Sequence, residues 1–290
     1  MPELPEVEIL VRGLNRSLPG RRILSVRLGK TDFMDNPAAI ERELPGLKIA
    51  GVARRGKYIV LGLRLGAADG DGAGADSALV VHLGMTGHLS ARPAGEPPAA
   101  HTHAQFALDD GRELRYTDPR RFGRILWLAQ EALPAFRNEI GIEPLTTSES
   151  AFSARIAGRH AGIKALLLNQ RVLGGLGNIY TDESLWRARI HPQRLASRLK
   201  RAEMRALWRA IRRVLEAAIR SGGSTVSDYR NADGQPGWFQ LRHRVYQREG
   251  KPCFRCRSNI RRIVVAGRSS HFCPQCQRAP RKRRFRGPTS

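Results

Sequence analysis

A chain of 290 residues with 41% hydrophobic and 26% charged residues is long enough for two ordinary domains, each with a buried core. Fifty Lys and Arg against 26 Asp and Glu leave a formal charge of +24, which calls for a polyanionic partner, nucleic acid before all others. No stretch approaches the roughly 18 consecutive apolar residues of a membrane span, and the acidic start Glu3, Glu6, Glu8 has the wrong sign for a signal peptide, so composition points to the cytoplasm and away from a membrane.

The chain begins Met1-Pro2-Glu3-Leu4-Pro5-Glu6-Val7-Glu8. If Met1 is removed, as a small second residue permits, Pro2 presents a secondary amine with a pKa of roughly 8, so a useful fraction is neutral at pH 7. A neutral amine can attack an electrophilic carbon, and the iminium formed by a secondary amine keeps its charge and acts as an electron sink. Glu3 stands beside it as a proton carrier. By composition alone the same residues read as an ordinary helix start, with Pro5 in the first turn and acids at the positive end of the dipole. Apolar Val7, Leu10, Val11, Leu14 and Leu18 predict an amphipathic helix over 4–18 that Pro19-Gly20 stops.

From Arg21 to about Leu128 the pattern changes to short β-rich runs over 23–28, 47–52, 58–65, 78–83, 106–108, 114–117 and 125–128, which predict a sandwich or barrel. A small helix interrupts them, capped by Asp35 or Asn36, beginning at Pro37 and ending before Pro45-Gly46. Residues 66–77 are nearly all Gly, Ala, Asp and Ser and read as a long hairpin loop, and Asp109-Asp110-Gly111 as a tight one. Two segments are turn-like around large side chains: His82-Leu83-Gly84-Met85-Thr86-Gly87, and Asp118-Pro119-Arg120-Arg121-Phe122-Gly123. Taken singly, Met85 and Phe122 would pass for strand core and Lys57 for a strand-edge charge.

Between Trp127 and Leu145 periodicity is lost and Pro134, Gly141 and Pro144 appear, which places a domain boundary there. Beyond the boundary the pattern is helical. Met204, Leu207, Ile211, Val214, Leu215 and Ala218 form one apolar face ending at Gly222-Gly223, and Arg205, Arg209, Arg212 and Arg213 fall on other faces, most of them as solvated charges. The glycine-rich Leu173–Tyr180 segment lacks the preceding strand that a dinucleotide site needs. All four cysteines lie near the C-terminus, and Cys253-x2-Cys256, 16 intervening residues, then Cys273-x2-Cys276 has the spacing of a structural tetrathiolate zinc site. Between the knuckles a hairpin is predicted, with Ile263-Val264-Val265 as one strand, Ala266-Gly267 at the bend, Ser269 to Phe272 returning and Arg268 near the tip. The last 51 residues carry 15 Lys or Arg against one acid, Glu249, an imbalance too local for solubility alone.

The opening Pro2-Glu3-Leu4-Pro5-Glu6-Val7-Glu8 closely resembles the start of the formamidopyrimidine-DNA glycosylases, bifunctional enzymes that excise oxidised purines and cut the abasic strand, and the resemblance runs from Met1 to Gln277. It implies an α+β multidomain protein: an N-terminal β-sandwich with flanking helices (1–132), a linker (133–146), a helix-two-turns-helix domain (147–236), a four-cysteine zinc-finger β-hairpin (237–277) and a basic tail (278–290). By the same resemblance Pro2 attacks the sugar C1′, Glu3 moves protons, Lys57 lies by the sugar and phosphate, and Arg268 reaches the DNA backbone and assists elimination. His101, Arg159, Lys164 and Asn178 match DNA-contacting positions. Met85 and Phe122 match the wedges that fill the space of an extruded base, with Arg120 on the widowed cytosine. The implied partner is duplex DNA carrying 8-oxoguanine, formamidopyrimidines or abasic sites, bound by a nucleoid-associated monomer holding one structural zinc ion. Two alternatives stand beside this: the endonuclease VIII type glycosylases, which act on oxidised pyrimidines, and a non-catalytic zinc-containing DNA-binding protein. The Leu-Pro-Glu-Val-Glu continuation and the Arg120/Phe122 segment favour the purine branch. The 66–77 loop and the tail depart from the family pattern without touching its chemical residues.

Overall fold

A computed structural model describes residues 1–66, 75–225 and 235–279. The first helix, α1 (Leu4–Leu14), turns Leu4, Val7, Leu10, Val11 and Leu14 inward, as their spacing requires. It is a turn shorter than the periodicity predicts. Asn15 caps it and uses its side-chain oxygen to accept the Val52 amide at 2.8 Å, while Leu18, beyond the helix, is still fully buried. Apolar spacing reports burial, and here burial outlasts the helix.

The strands after it are β1 (Ile23–Leu28), β2 (Met34–Asp35), β3 (Lys48–Arg55), β4 (Tyr58–Arg64), β5 (Ser77–His82), β6 (His88–Pro93), β7 (Thr102–Leu108), β8 (Arg112–Thr117) and β9 (Arg124–Ala129), with the small helix α2 (Pro37–Glu43) after β2. They make a four-stranded sheet in the order β1-β7-β8-β6 and a five-stranded sheet in the order β2-β9-β5-β4-β3, antiparallel except for the short β2–β9 pair. Ile59, Leu61 and Leu63 of β4 point to the same side, as the period of two dictates, and join Phe106, Leu114 and Tyr116 of the other sheet, Leu10 and Leu14 of α1 and Ile40 of α2 in one buried cluster. This is the sandwich with flanking helices. Neither β2 nor β6 was readable: β2 has two residues, and β6 carries a buried Ser90 and ends in Arg92-Pro93.

The stretch without periodicity contains a helix, α3 (Leu133–Glu139), with Pro134 in its first turn, where a missing N–H costs nothing. Its Leu133 and Phe136 cover Ala78 and Val80 of β5 and Val60 of β4 on the face away from the main cluster. That second layer is why β5 is a continuous buried run.

Two compact units emerge, Met1–Glu143 with Leu215–Arg242, and Pro144–Val214 with His243–Ser290. The second contains α4 (Glu149–Ile156), α5 (Ile163–Leu168), α6 (Asn178–Ala188) and most of α7 (Arg201–Arg220), which Gly222 and Gly223 terminate at positive φ. It ends in the antiparallel hairpin β10 (Arg261–Val265) and β11 (Arg268–Phe272), whose bend is Ala266-Gly267 at φ 49° and 70°. The loop at 67–74, the 226–234 part of the segment after α7 and the tail from 280 lie outside the described residues. Among the described residues no helix is long and apolar enough to cross a membrane.

Candidate functional site

In the first unit the chain's opening residues are held inside the protein. Pro2 is buried, and Glu3 is 3% exposed at the N-cap of α1, where its side chain accepts the Glu6 amide and the Glu6 carboxylate accepts the Glu3 amide at 2.9 Å. The other Glu6 oxygen accepts the Ser224 amide at 2.7 Å, across 218 residues of sequence. Glu6, itself 2% exposed, therefore fixes the helix start against the segment after α7. The acids at the helix start were legible; the Glu3–Glu6 capping pair and the Ser224 partner were not.

Lys57 follows Gly56 in a two-residue turn between β3 and β4, where Arg55 pairs with Tyr58, and it is 6% exposed. A guanidinium ties this turn to α1. Arg54 donates to Glu8 at 2.8 Å and to the Gly56 carbonyl and Glu143 at 3.0 Å each, so one fork joins the Pro2-bearing helix to the Lys57-bearing turn. Burial raises the Glu8 carboxyl, but its hydrogen bonds and charge contacts with Arg54 and Arg12 hold it below its ordinary value.

The two turns carrying Met85 and Phe122 stand side by side. Gly84 lies at φ +60°, and a Cβ there would collide with the Phe122 backbone, so the glycine permits the contact. Asp118, fully buried, knits the turns together: its carboxylate accepts Thr86 Oγ1 at 2.5 Å, Tyr116 Oη at 3.1 Å, the Arg120 amide at 3.3 Å and the Gly123 amide at 2.9 Å. The Asp118 amide also donates to the His101 carbonyl at 3.0 Å. Held this way, Phe122 is 57% exposed, the Arg120 guanidinium lies 4.5 Å from its ring centroid, His101 is exposed at φ 64°, and Met85 is half-buried. The bland alternative of a strand-core Phe122 is excluded by that exposure. Asp118 belongs to the motif, but nothing in the sequence shows that it is the hub.

Beside Lys57, His82 packs on the Tyr58 ring at 5.0 Å and accepts the Gly84 amide at 3.1 Å. Burial, with the Lys57 charge second, pushes its pKa down to about 4. Because the unfolded chain binds the proton more readily, stability is complete above the ordinary value near 6.5 and is lost as pH falls toward about 4, by about 3 kcal/mol over the window. His82→Asn, which keeps an acceptor for Gly84 but does not titrate, should flatten the urea-measured stability profile between those pH values.

In the second unit Gly177 caps α6 and Asn178 begins it, half-buried, with its side-chain oxygen unpartnered. Arg159 is exposed beyond α4 and donates to the Arg155 carbonyl at 2.9 Å. Arg268 is exposed at the hairpin tip, opposite Val265. Lys164 has no exposed surface, and its ammonium donates to Asp182 at 2.6 Å and to the Ser269 carbonyl at 2.8 Å, so it fastens α5 and α6 to β11 beside Arg268. Asp182 completes the joint by accepting the His271 amide at 2.8 Å. Lys164→Met leaves that carboxylate buried without its cation and is expected to cost about 3–5 kcal/mol in urea unfolding, while the salt slope of DNA binding stays unchanged. A slope flatter by about one unit would mark Lys164 as a phosphate contact.

The four cysteine sulfurs lie within 4.8 Å of one another, with Cys256 to Cys273 at 3.3 Å and Cys256 to Cys276 at 3.6 Å. A tetrahedral zinc with Zn–S bonds of about 2.3 Å needs sulfur separations of about 3.8 Å, so the group fits. Each knuckle closes alike, the Arg257 amide donating to the Cys253 carbonyl and the Gln277 amide to the Cys273 carbonyl, both at 2.9 Å. Gln277 then fixes the second knuckle, accepting the Cys273 amide and donating to the Ile190 carbonyl at 2.8 Å.

Three family models match in succession: the formamidopyrimidine-DNA glycosylase N-terminal domain over residues 1–125, the H2TH domain of the same glycosylases over 140–230, and a zinc finger found in FPG and IleRS over 250–279. A formamidopyrimidine-DNA glycosylase of Solibacter usitatus is 45% identical over 280 residues, covering 96% of this chain and 100% of the relative. One from Roseiflexus is 44% identical over 96% of this chain and 100% of its own length. The Lactococcus lactis FPG, solved with abasic-site DNA and, as a point mutant, with DNA containing Fapy-dG, superposes with a TM-score of 0.85 at 34% identity over 96% of this chain and 100% of the other. A crystal structure of the protein from Thermus thermophilus gives a TM-score of 0.81 at 41% identity over 95% of this chain and 98% of that one.

Proposed function

The chain belongs to the formamidopyrimidine-DNA glycosylase family of bifunctional base-excision glycosylases and abasic-site lyases, and from that premise we propose that Pro2 is its nucleophile and Glu3 its proton carrier. Its partner is duplex DNA, its substrate an oxidised purine such as 8-oxoguanine or a formamidopyrimidine, or an abasic site. Cys253, Cys256, Cys273 and Cys276 hold one structural zinc ion, which shapes the hairpin and takes no part in the chemistry.

The observation that carries the residue assignment is the burial of Pro2 and Glu3, directly after an exposed Met1, within the Glu6 frame. In the proposed sequence the Pro2 nitrogen bonds to C1′, losing its proton, as the glycosidic bond breaks and its electrons leave with the base, which takes up a proton. The C1′–O4′ bond then breaks, opening the sugar ring as O4′ takes up a proton, and the nitrogen lone pair forms the iminium. Glu3 manages protons at the sugar or base. The iminium acidifies the C2′ proton, and β- then δ-elimination releases the strand on both sides. Lys57 supplies positive charge at the sugar and phosphate, and Arg268 assists the final elimination. Met85 and Phe122 fill the space of the extruded base, and Arg120 donates to the widowed cytosine, roles that suit two adjoining turns locked by Asp118. Exposed His101 and Arg159, with Asn178 at the start of α6, contact the DNA backbone.

The proposed division of labour is catalysis and wedging in 1–132, DNA binding in 147–236 joined by 133–146, backbone contact by the zinc hairpin in 237–277, and added electrostatic attraction from the tail 278–290. The protein acts as a monomer in the cytoplasm, on the nucleoid. Borohydride trapping on duplexes with a single 8-oxoguanine opposite cytosine tests this. A covalent complex is expected, stronger than on a duplex with an oxidised pyrimidine. Preference for the pyrimidine would move the chain to the endonuclease VIII type, and no complex on either would leave a DNA-binding protein without the chemistry.

A further inference from the structure

The zinc centre is walled asymmetrically. Cys253 and Cys273 are fully buried, whereas Cys256 is exposed and Cys276 half-exposed. These last two open into a cavity of about 640 Å³ that Arg189, Arg255 and Arg278 also line. Four thiolates on a divalent ion leave two net negative charges. The one carboxylate in the wall, Glu203, pairs with Arg194 at 3.7 Å, and among the described residues no carboxylate pairs with the other three arginines. Arg255 is held in place by its guanidinium, stacked 4.3 Å from the Trp186 ring and donating to the Trp186 carbonyl at 3.2 Å. Arg189 ends α6 in the left-handed conformation, at φ 61°.

We propose that Arg189, Arg255 and Arg278 form a cationic collar that neutralises the zinc–thiolate centre and sets how long the metal stays bound. Four thiolates crowded on one divalent ion repel one another, and positive charge beside them offsets that repulsion, so the collar slows the departure of the first ligand and with it metal loss. The excess negative charge already lies in the wall of the cavity, and the arginines need no bound anion to account for them. The collar is at the C-terminal end of α6, away from the Asn178 end assigned to DNA.

The test is zinc release from the full-length protein into excess chromogenic chelator, followed by absorbance. Arg255→Gln and the double variant Arg189→Gln/Arg278→Gln should each release zinc about tenfold faster, as expected for losing positive charge from the wall of the site at intermediate dielectric. Arg255→Lys should recover most of the retention, and Arg262→Gln, exposed on β10 outside the cavity, should match wild type. Raising salt should speed release from the wild type and change the double variant little. If Arg255→Gln misfolds after losing its Trp186 stack, the double variant decides. Release within twofold of wild type for the double variant, or equal acceleration by Arg262→Gln, overturns the collar.

Discussion

Protein whose first nitrogen is blocked, by retained Met1 or by any added N-terminal residue, is expected to form no borohydride-trapped complex and to lose strand cleavage entirely. Blocking turns the Pro2 nitrogen into a tertiary amide, whose lone pair is delocalised into the carbonyl and cannot form an iminium. The change is confined to chemistry, because Pro2 has no N–H of its own once acylated and the neighbouring frame of Glu6 with the Glu3 and Ser224 amides does not require a free amine. DNA binding should therefore survive in the blocked protein. Pro2→Gly, with a primary amine, should retain weak trapping. If blocked protein still traps, suspicion moves to Lys57, an ammonium 6% exposed in the turn that Arg54 ties to the same helix.

What the sequence disclosed divides along physical lines. Strand β4 was legible because its buried Ile59, Leu61 and Leu63 alternate with less buried residues, and a period of two is local information. The cysteine knuckles were legible because ligand spacing is written in the chain itself. Helix α3 was not, since its two covering residues, Leu133 and Phe136, make too short a pattern to stand out, and their role depends on a sheet face built elsewhere. The burial of Lys164 was not legible, since a lysine is almost never fully buried, and the carboxylate that makes burial tolerable, Asp182, is 18 residues away. Asp118 stood in plain view among the turn residues, but the bond that joins the two turns runs to Thr86, 32 residues away, and only the fold brings it there. Motifs offer candidates for the chemical residues; the residues that hold those candidates in position are set by tertiary contacts.

That distinction separates two glutamates three residues apart. Glu3→Gln keeps a side-chain oxygen able to accept the Glu6 amide, so the helix start and the fold should persist and DNA should bind as before. Only proton transfer is lost, and excision of an oxidised purine should fall by about 10²- to 10⁴-fold. Cleavage at a pre-formed abasic site should fall less, because no base remains to be expelled. Glu6→Gln is expected to behave differently. Its carboxylate accepts two amides, one per oxygen, at Glu3 and Ser224, and a carboxamide can serve only one of them. The other amide then faces an NH2 group where a carboxylate oxygen stood, at a cost of about 1–3 kcal/mol. Excision and abasic-site cleavage should then fall together, with a lower unfolding midpoint. Single-turnover rates on the two substrates, measured beside urea unfolding for both variants, resolve the pair. Equal losses on both substrates for Glu3→Gln at unchanged stability would remove base expulsion from the work assigned to Glu3.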